Sequence, residues 1–233
     1  MRVLVTRPAE DAMETATLLR ERGHEPVIAP LLGVRYHDGP PLDLDGVRAL
    51  LATSANGVRA LARRTARRDL AVFAVGSQTT ETARAAGFSD VCNADGNSEN
   101  LANAVRGWAV PGDGVLLHAA GAEAEGRLAD ILAAAGYRVR TEVLYDVPAV
   151  SELPPIAHMA LAENTLDAVL LLSARSAHVF AACVAKAGLA SACLRLTAVC
   201  ISEAAAKPLA GLAFKDIRIA TRPNQASLLD CLG

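Results

Sequence analysis

The chain has 233 residues, 52% hydrophobic and 21% charged, with a net charge of −2. That composition suits a soluble globular chain of one or two domains rather than a disordered one. It lacks the basic excess that neutralises nucleic-acid phosphates, and no stretch approaches the ~20 apolar residues that span a bilayer.

Met1-Arg2-Val3-Leu4-Val5-Thr6 goes straight into a strand pattern. It lacks the longer apolar run of a signal peptide, so the expectation is a cytoplasmic protein. Ala12, Thr15, Leu18 and Leu19 then give one apolar face on a first helix, which Gly23 stops. Short apolar runs follow at 26–29, 49–52, 71–75, 115–117, 139–144, 168–172, 197–201 and 217–220. Most lead through a polar or glycine turn into a helical pattern. With aromatics at only 3%, the core is aliphatic. The expected fold class is α/β: parallel sheets flanked by helices. Trp108 is read as a packing residue. The run Arg63-Arg64-Thr65-Ala66-Arg67-Arg68 is read as a solvated helix end.

The chain also repeats itself. The segment from Val3 through a helix to Arg22-Gly23-His24 resembles that from Val115 through a helix to Ala135-Gly136-Tyr137. Leu51-Ala52-Thr53-Ser54-Ala55 resembles Leu171-Leu172-Ser173-Ala174-Arg175, and Ala74-Val75-Gly76-Ser77 resembles Val199-Cys200-Ile201-Ser202. Asn97-Ser98-Glu99-Asn100-Leu101 resembles Asn224-Gln225-Ala226-Ser227-Leu228. Four similar units in the same order point to a duplication and two similar domains, with a ligand cleft expected between them. Extended segments at about 31–37 and 144–150, which end in the proline-rich stretches Asp38-Gly39-Pro40-Pro41 and Leu153-Pro154-Pro155 that resist helix, read as connectors joining the domains.

The five cysteines, Cys92, Cys183, Cys193, Cys200 and Cys231, form no C-x-x-C pair and have no histidine at metal-ligand spacing. They read as reduced, mostly buried thiols. His24, His37, His118, His158 and His178 are scattered and read as structural. No dinucleotide fingerprint, phosphate-binding P-loop or nucleophile elbow is present, so neither cofactor nor metal is expected. Several strand ends instead carry small hydroxyl or glycine residues that open helices: 53–57, 76–79, 96–98, 173–176 and Ser202. Singly, these are ordinary N-caps. Converging, their free N–H groups suit a ligand with many carboxylates or phosphates. Tyr145 follows an apolar strand and sits at a domain junction in a chain with few aromatics. It is either a hinge-packing residue or a phenol that donates a proton in a cleft.

The ordered set Val3-Leu4-Val5-Thr6-Arg7-Pro8, Thr53-Ser54-Ala55-Asn56-Gly57-Val58, Ala74-Val75-Gly76 with Thr79, Gly96 to Leu101, Val143-Leu144-Tyr145 and Ser173 resembles the uroporphyrinogen-III synthase family along nearly the whole chain. The resemblance implies a discontinuous first domain, 1–33 with 149–233, and a second domain, 36–146. It implies a monomer without cofactor that takes hydroxymethylbilane, a linear tetrapyrrole with eight carboxylates. The terminal hydroxyl is lost, the last ring is inverted and the macrocycle is closed. A transient encounter with hydroxymethylbilane synthase, which makes the substrate, belongs to the same expectation.

Under this resemblance Tyr145 is the catalytic donor. Arg7, Ser54, Ala55, Gly76, Thr79, Asn97, Ser98, Ser173, Ala174 and Ser202 are the substrate-binding positions. Arg7 and Arg175 either add charge there or are solvated, and solvation is preferred for Arg175. One motif departs from the family: Ser202-Glu203-Ala204-Ala205 replaces Gly-x-x-Thr. A bulkier turn and a missing hydroxyl leave open a catalytically silent tetrapyrrole- or polyanion-binding module of the same fold. A solute-binding or phospho-receiver protein fits less well: no signal peptide is seen, and Val3–Pro8 carries no aspartate cluster.

Overall fold

A computed structural model describes residues 1–124 and 126–233. The chain divides into two compact units, Met1–Gly33 with Pro148–Gly233 and Val34–Val147.

The first unit begins with β1 (Arg2–Val5), α1 (Ala9–Glu21) and β2 (Glu25–Ile28). Helix α1 buries Ala12, Thr15, Ala16 and Leu19 on one face. It stops at Gly23, whose φ of +76° lies in the left-handed region. There the N–H groups of Gly23 and His24 donate back to the carbonyls of Arg20 and Leu19.

The second unit runs β3 (Arg35–Tyr36), β4 (Val47–Ala52), α2 (Ala55–Arg64), β5 (Ala71–Ala74), α3 (Ser77–Ala85), β6 (Val91–Asn93), α4 (Ser98–Trp108), β7 (Val115–Gly121), α5 (Arg127–Ala134) and β8 (Arg138–Asp146). The chain then returns to the first unit with α6 (Pro155–Ala162), β9 (Ala168–Leu171), α7 (Ala174–Lys186), β10 (Thr197–Cys200), α8 (Glu203–Ala206), β11 (Asp216–Ile219) and α9 (Gln225–Asp230).

The first sheet has the order β11-β10-β9-β1-β2 and the second β3-β8-β7-β4-β5-β6. All pairings are parallel except β3 with β8. Matching the repeated segments strand by strand, β6-β5-β4-β7-β8 reads in the same order as β11-β10-β9-β1-β2. The repeats therefore occupy equivalent places. Each unit nevertheless takes two of these strands, β1 and β2 or β7 and β8, from one repeat and the other three from the other repeat.

The central strands β5, β9 and β10 are buried along their whole length, as a sheet covered on both faces requires. In the second unit, Leu50, Ala52, Leu117 and Ala119 point to one core, and Ala49, Leu51 and Leu116 to the other. That is the two-residue alternation of a strand. Trp108 packs on Phe73, with ring centroids 5.2 Å apart.

Three expectations are corrected. The basic run from Arg63 to Arg68 is not simply a solvated helix end. The Arg64 Nε donates to the Pro40 carbonyl at 2.9 Å and the Arg68 Nε to the Ala86 carbonyl at 2.7 Å. Arg63 and Arg68 also lie over the rings of Tyr36 and Phe88. Pro155 does not resist helix: it opens α6 at the first helical position, where its missing N–H costs nothing. Tyr145 does not follow a strand but lies inside β8, paired with Tyr36 of β3.

Candidate functional site

In the second unit the chain steps outward from β4 to β5 and β6 on one side, and from β7 to β8 on the other. The direction reverses between β4 and β7. At such a switch point the loops diverge beyond the C-terminal strand ends, which leaves a crevice for ligands. Ser54 follows β4, Gly121 ends β7, and Tyr145 lies near the end of β8.

The ends of β7 and β8 are not regular. Ala120 pairs with Val143, but Gly121 pairs with Tyr145, so Leu144 is an extra residue on β8. A bulge of this kind re-aims the side chain beside it. Leu144 and Tyr145, adjacent in sequence, consequently enter the same core, together with Leu50, Ala52 and Leu117. The Tyr145 hydroxyl reaches 2.7 Å from the Ser54 Oγ. Ser54 also caps α2, its Oγ accepting the Gly57 N–H at 3.1 Å. The close seat of α2 needs glycine at 57, since a Cβ there would lie 2.8 Å from the Ala119 carbonyl oxygen.

Burial pushes the Tyr145 phenol above its ordinary value, with the Ser54 hydrogen bond acting in the opposite direction. The phenol is therefore neutral at physiological pH and able to donate. Just beyond it, Asp146 accepts from the Arg35 Nη2 at 2.6 Å, which ties β3 to β8. This hydrogen bond holds the carboxyl below its usual range.

The other expected residues of this unit all lie at helix starts on the same sheet edge. Ala55 is the buried first residue of α2. Gly76 caps α3, and Thr79 is buried within its first turn. Asn97 caps α4, its Oδ1 accepting the N–H groups of Glu99 and Asn100 at 2.9 and 3.1 Å, and Ser98 is the first helical residue.

In the first unit the direction reverses between β9 and β1, which places Ser173 and Arg7 at the equivalent switch point. Ser173 caps α7 by accepting the Ser176 N–H at 3.0 Å, and Ala174 follows it as the first helical residue. Ser202 caps α8, accepting the Ala205 N–H at 3.4 Å. Its φ of −163° and ψ of 166° are ordinary extended values, close to those of Gly76. Serine in place of the family's glycine therefore strains nothing in the backbone. Ala205 is fully buried, as the matching Thr79 nearly is.

Arg7 differs from the solvated reading of it. It is not solvated, being only 7% exposed, and its guanidinium is already engaged. Nη1 donates to the Thr15 Oγ1 at 3.1 Å and to the Gln225 Oε1, and Nη2 lies 3.4 Å from the Asp11 carboxylate. Arg7 thus ties β1 to α1 and α9. Arg175 is half-buried in the first turn of α7.

Sequence reasoning missed Gly121. A glycine closing an apolar strand is a signal for a bulge or a close approach, but nothing local names its partner. His118 is buried, with Nε2 at 3.3 Å from the Thr53 Oγ1 and Nδ1 without a partner among the described residues. Burial lowers its pKa. Cys193 and Cys200 are buried thiols with pKa values pushed up to about 11. Among the described residues, no group of three His, Cys, Asp or Glu side chains is arranged to hold a metal ion, and no helix is long and apolar enough to cross a membrane.

Comparison with known proteins agrees with this fold. Uroporphyrinogen-III synthetase from Helicobacter pylori 26695 has a similar structure, with a TM-score of 0.62 and 19% identity, covering 100% of this chain and 98% of that one. A mutant uroporphyrinogen III synthase from the extremely thermophilic bacterium Thermus thermophilus is similar with a TM-score of 0.54 and 20% identity, over 100% and 97% of the two chains. At these identities the likeness shows the fold. A Methanocaldococcus jannaschii protein named "Putative uroporphyrinogen-III synthase" is 40% identical over 58 residues, spanning 25% of this chain and only 24% of that protein. The family model described as uroporphyrinogen-III synthase HemD matches residues 13–230, nearly the whole chain. The chain belongs to the uroporphyrinogen-III synthase family.

Proposed function

We propose that this chain closes hydroxymethylbilane to uroporphyrinogen III, with inversion of the terminal pyrrole ring and net loss of water. The observation that carries the proposal is the neutral, buried Tyr145 phenol, held 2.7 Å from the Ser54 hydroxyl at the switch point of the sheet. The hydroxymethyl C–O bond breaks as the phenol donates its proton, and the hydroxyl leaves as water. The electron-rich pyrrole stabilises the carbocation that remains. Attack by the substituted carbon of the terminal ring gives a spiro intermediate. Reopening and reclosure of that intermediate invert the ring, and the final loss of a proton restores aromaticity and can return Tyr145 to its neutral form.

Spontaneous closure without inversion competes, so much of the catalysis lies in positioning. Each 1.4 kcal/mol in favour of the inverting path changes the product ratio about tenfold. Substrate carboxylates are held by helix starts such as Ser54, Ala55, Gly76, Thr79, Asn97 and Ser98 of the second unit; Ser173, Ala174 and Ser202 are the matching helix starts of the first. Free backbone N–H groups and hydroxyls suit anions there. In this reading Arg7 supports the binding edge through α1 and α9 rather than touching substrate. The substrate comes from hydroxymethylbilane synthase, and the protein acts as a cytoplasmic monomer.

Replacing Tyr145 with Phe tests the assignment. Turnover of freshly generated hydroxymethylbilane is expected to fall by ~10²-fold, within the usual range for loss of a general acid, while the circular dichroism spectrum is retained. Unchanged turnover in a folded variant removes Tyr145 from the mechanism.

A further inference from the structure

The Tyr145 side chain occupies space that only a glycine at position 121 leaves open. A Cβ built on Gly121 would lie 2.9 Å from Cε2 and Cζ of Tyr145 and 3.2 Å from its hydroxyl oxygen. The ring has little freedom to retreat, because it is buried among Leu50, Ala52, Leu117 and Leu144. The backbone is fixed as well: the Ala122 N–H donates to the Tyr145 carbonyl at 2.8 Å, next to the register shift that sets Gly121 opposite Tyr145. On the other side of the hydroxyl stands Ser54, anchored by the Gly57 N–H.

We propose that Gly121 and Ser54 are positioning residues that together seat the Tyr145 phenol: Gly121 leaves the space for the ring, and Ser54 holds its hydroxyl at the strand-end edge. The catalytic consequence rests on the reading of Tyr145 as proton donor. The seat itself does not, and can be measured separately.

The chain has three tyrosines, Tyr36, Tyr137 and Tyr145, so phenolate absorbance of the protein minus that of Tyr145→Phe reports the Tyr145 titration. Ser54→Ala is expected to raise its midpoint, because the hydrogen bond that favours the ionised form is gone. In a Gly121→Ala background the same Ser54→Ala change is expected to have no effect, since the added methyl has already moved the hydroxyl away. This non-additivity is the signature of a shared seat. Gly121→Ala is also expected to lower kcat by about tenfold or more while KM changes less than about twofold, as for misplacement of a reacting group. Gly107→Ala adds the same methyl where nothing lies within 4 Å, and should leave the titration and kcat unchanged.

The proposal is overturned if Gly121→Ala leaves both the Tyr145 midpoint and its dependence on Ser54 as they are in the parent protein. Should Gly121→Ala fail to fold by circular dichroism, Ser54→Ala alone decides, and an unmoved midpoint overturns the seat. Full turnover by Tyr145→Phe would sink the proton-donor reading while the titration still judged the seat.

Discussion

The hydroxyl oxygens of Ser54 and Tyr145 lie 2.7 Å apart although the residues are 91 positions apart in the chain. Ser54 arrives there by capping α2 at the end of β4. Tyr145 arrives by a bulge that sends two successive residues of β8 into one core. The contact joins the two strands that flank β7.

Turnover should stay level from neutral pH to about 10, the ordinary tyrosine value, and fall only above it, because burial raises the Tyr145 pKa. The sign follows from which form works: the protonated phenol is the donor, and raising its pKa extends the working range upward. By linkage, the raised pKa contributes stability that is complete below the unfolded value and is lost as pH rises through the folded one. The check is a kcat profile into the alkaline range, in which Tyr145→Phe lacks this limb.

Acid should weaken the fold through His118. Burial lowers its pKa, so the unfolded chain takes up the proton first. The stability this group contributes is present above about 6.5 and is lost as pH falls through the depressed folded value. Thermal unfolding followed from pH 7 downward should show a shallower loss of Tm in His118→Leu, which also removes the Nδ1 that has no partner among the described residues.

The Arg7–Asp11 pair is nearly buried, with side chains 7% and 11% exposed. Asp11→Ala leaves a buried guanidinium without its carboxylate and should cost about 3–5 kcal/mol in denaturant unfolding. A loss well under 1 kcal/mol would show that Thr15 and Gln225 suffice to hold Arg7.

Changing Ser202 to Gly, the family's usual residue, should cost only a few tenths of a kcal/mol in denaturant unfolding, the usual difference between a serine and a glycine cap. Ala205→Thr adds atoms at a fully buried position and should destabilise by about 1–3 kcal/mol. A rise in turnover with either variant would mean that the departure from the family pattern does limit activity.

Much of the fold was legible because an aliphatic α/β chain writes its buried strands as short apolar runs. Val3–Val5, Ala71–Ala74 and Thr197–Cys200 are each buried strands. The caps at Ser54, Asn97, Ser173, Ser202 and Asn224 were legible for the same local reason. What was not legible depends on partners distant in the chain. Arg7 looks like a surface cation until Asp11, Thr15 and Gln225 close around it. Arg64 and Arg68 look solvated until backbone carbonyls accept their hydrogen bonds. Gly121 looks like an ordinary strand end, because nothing in its neighbours shows that Tyr145 will lie against it.

The most direct test of the central claim is the isomer composition of the product. Hydroxymethylbilane generated in situ is incubated with the folded protein, the products are oxidised, and the porphyrin isomers are separated. The account predicts a clear excess of isomer III over the spontaneous isomer I, lost in Tyr145→Phe. Isomer I alone, in the ratio found without protein, would contradict it.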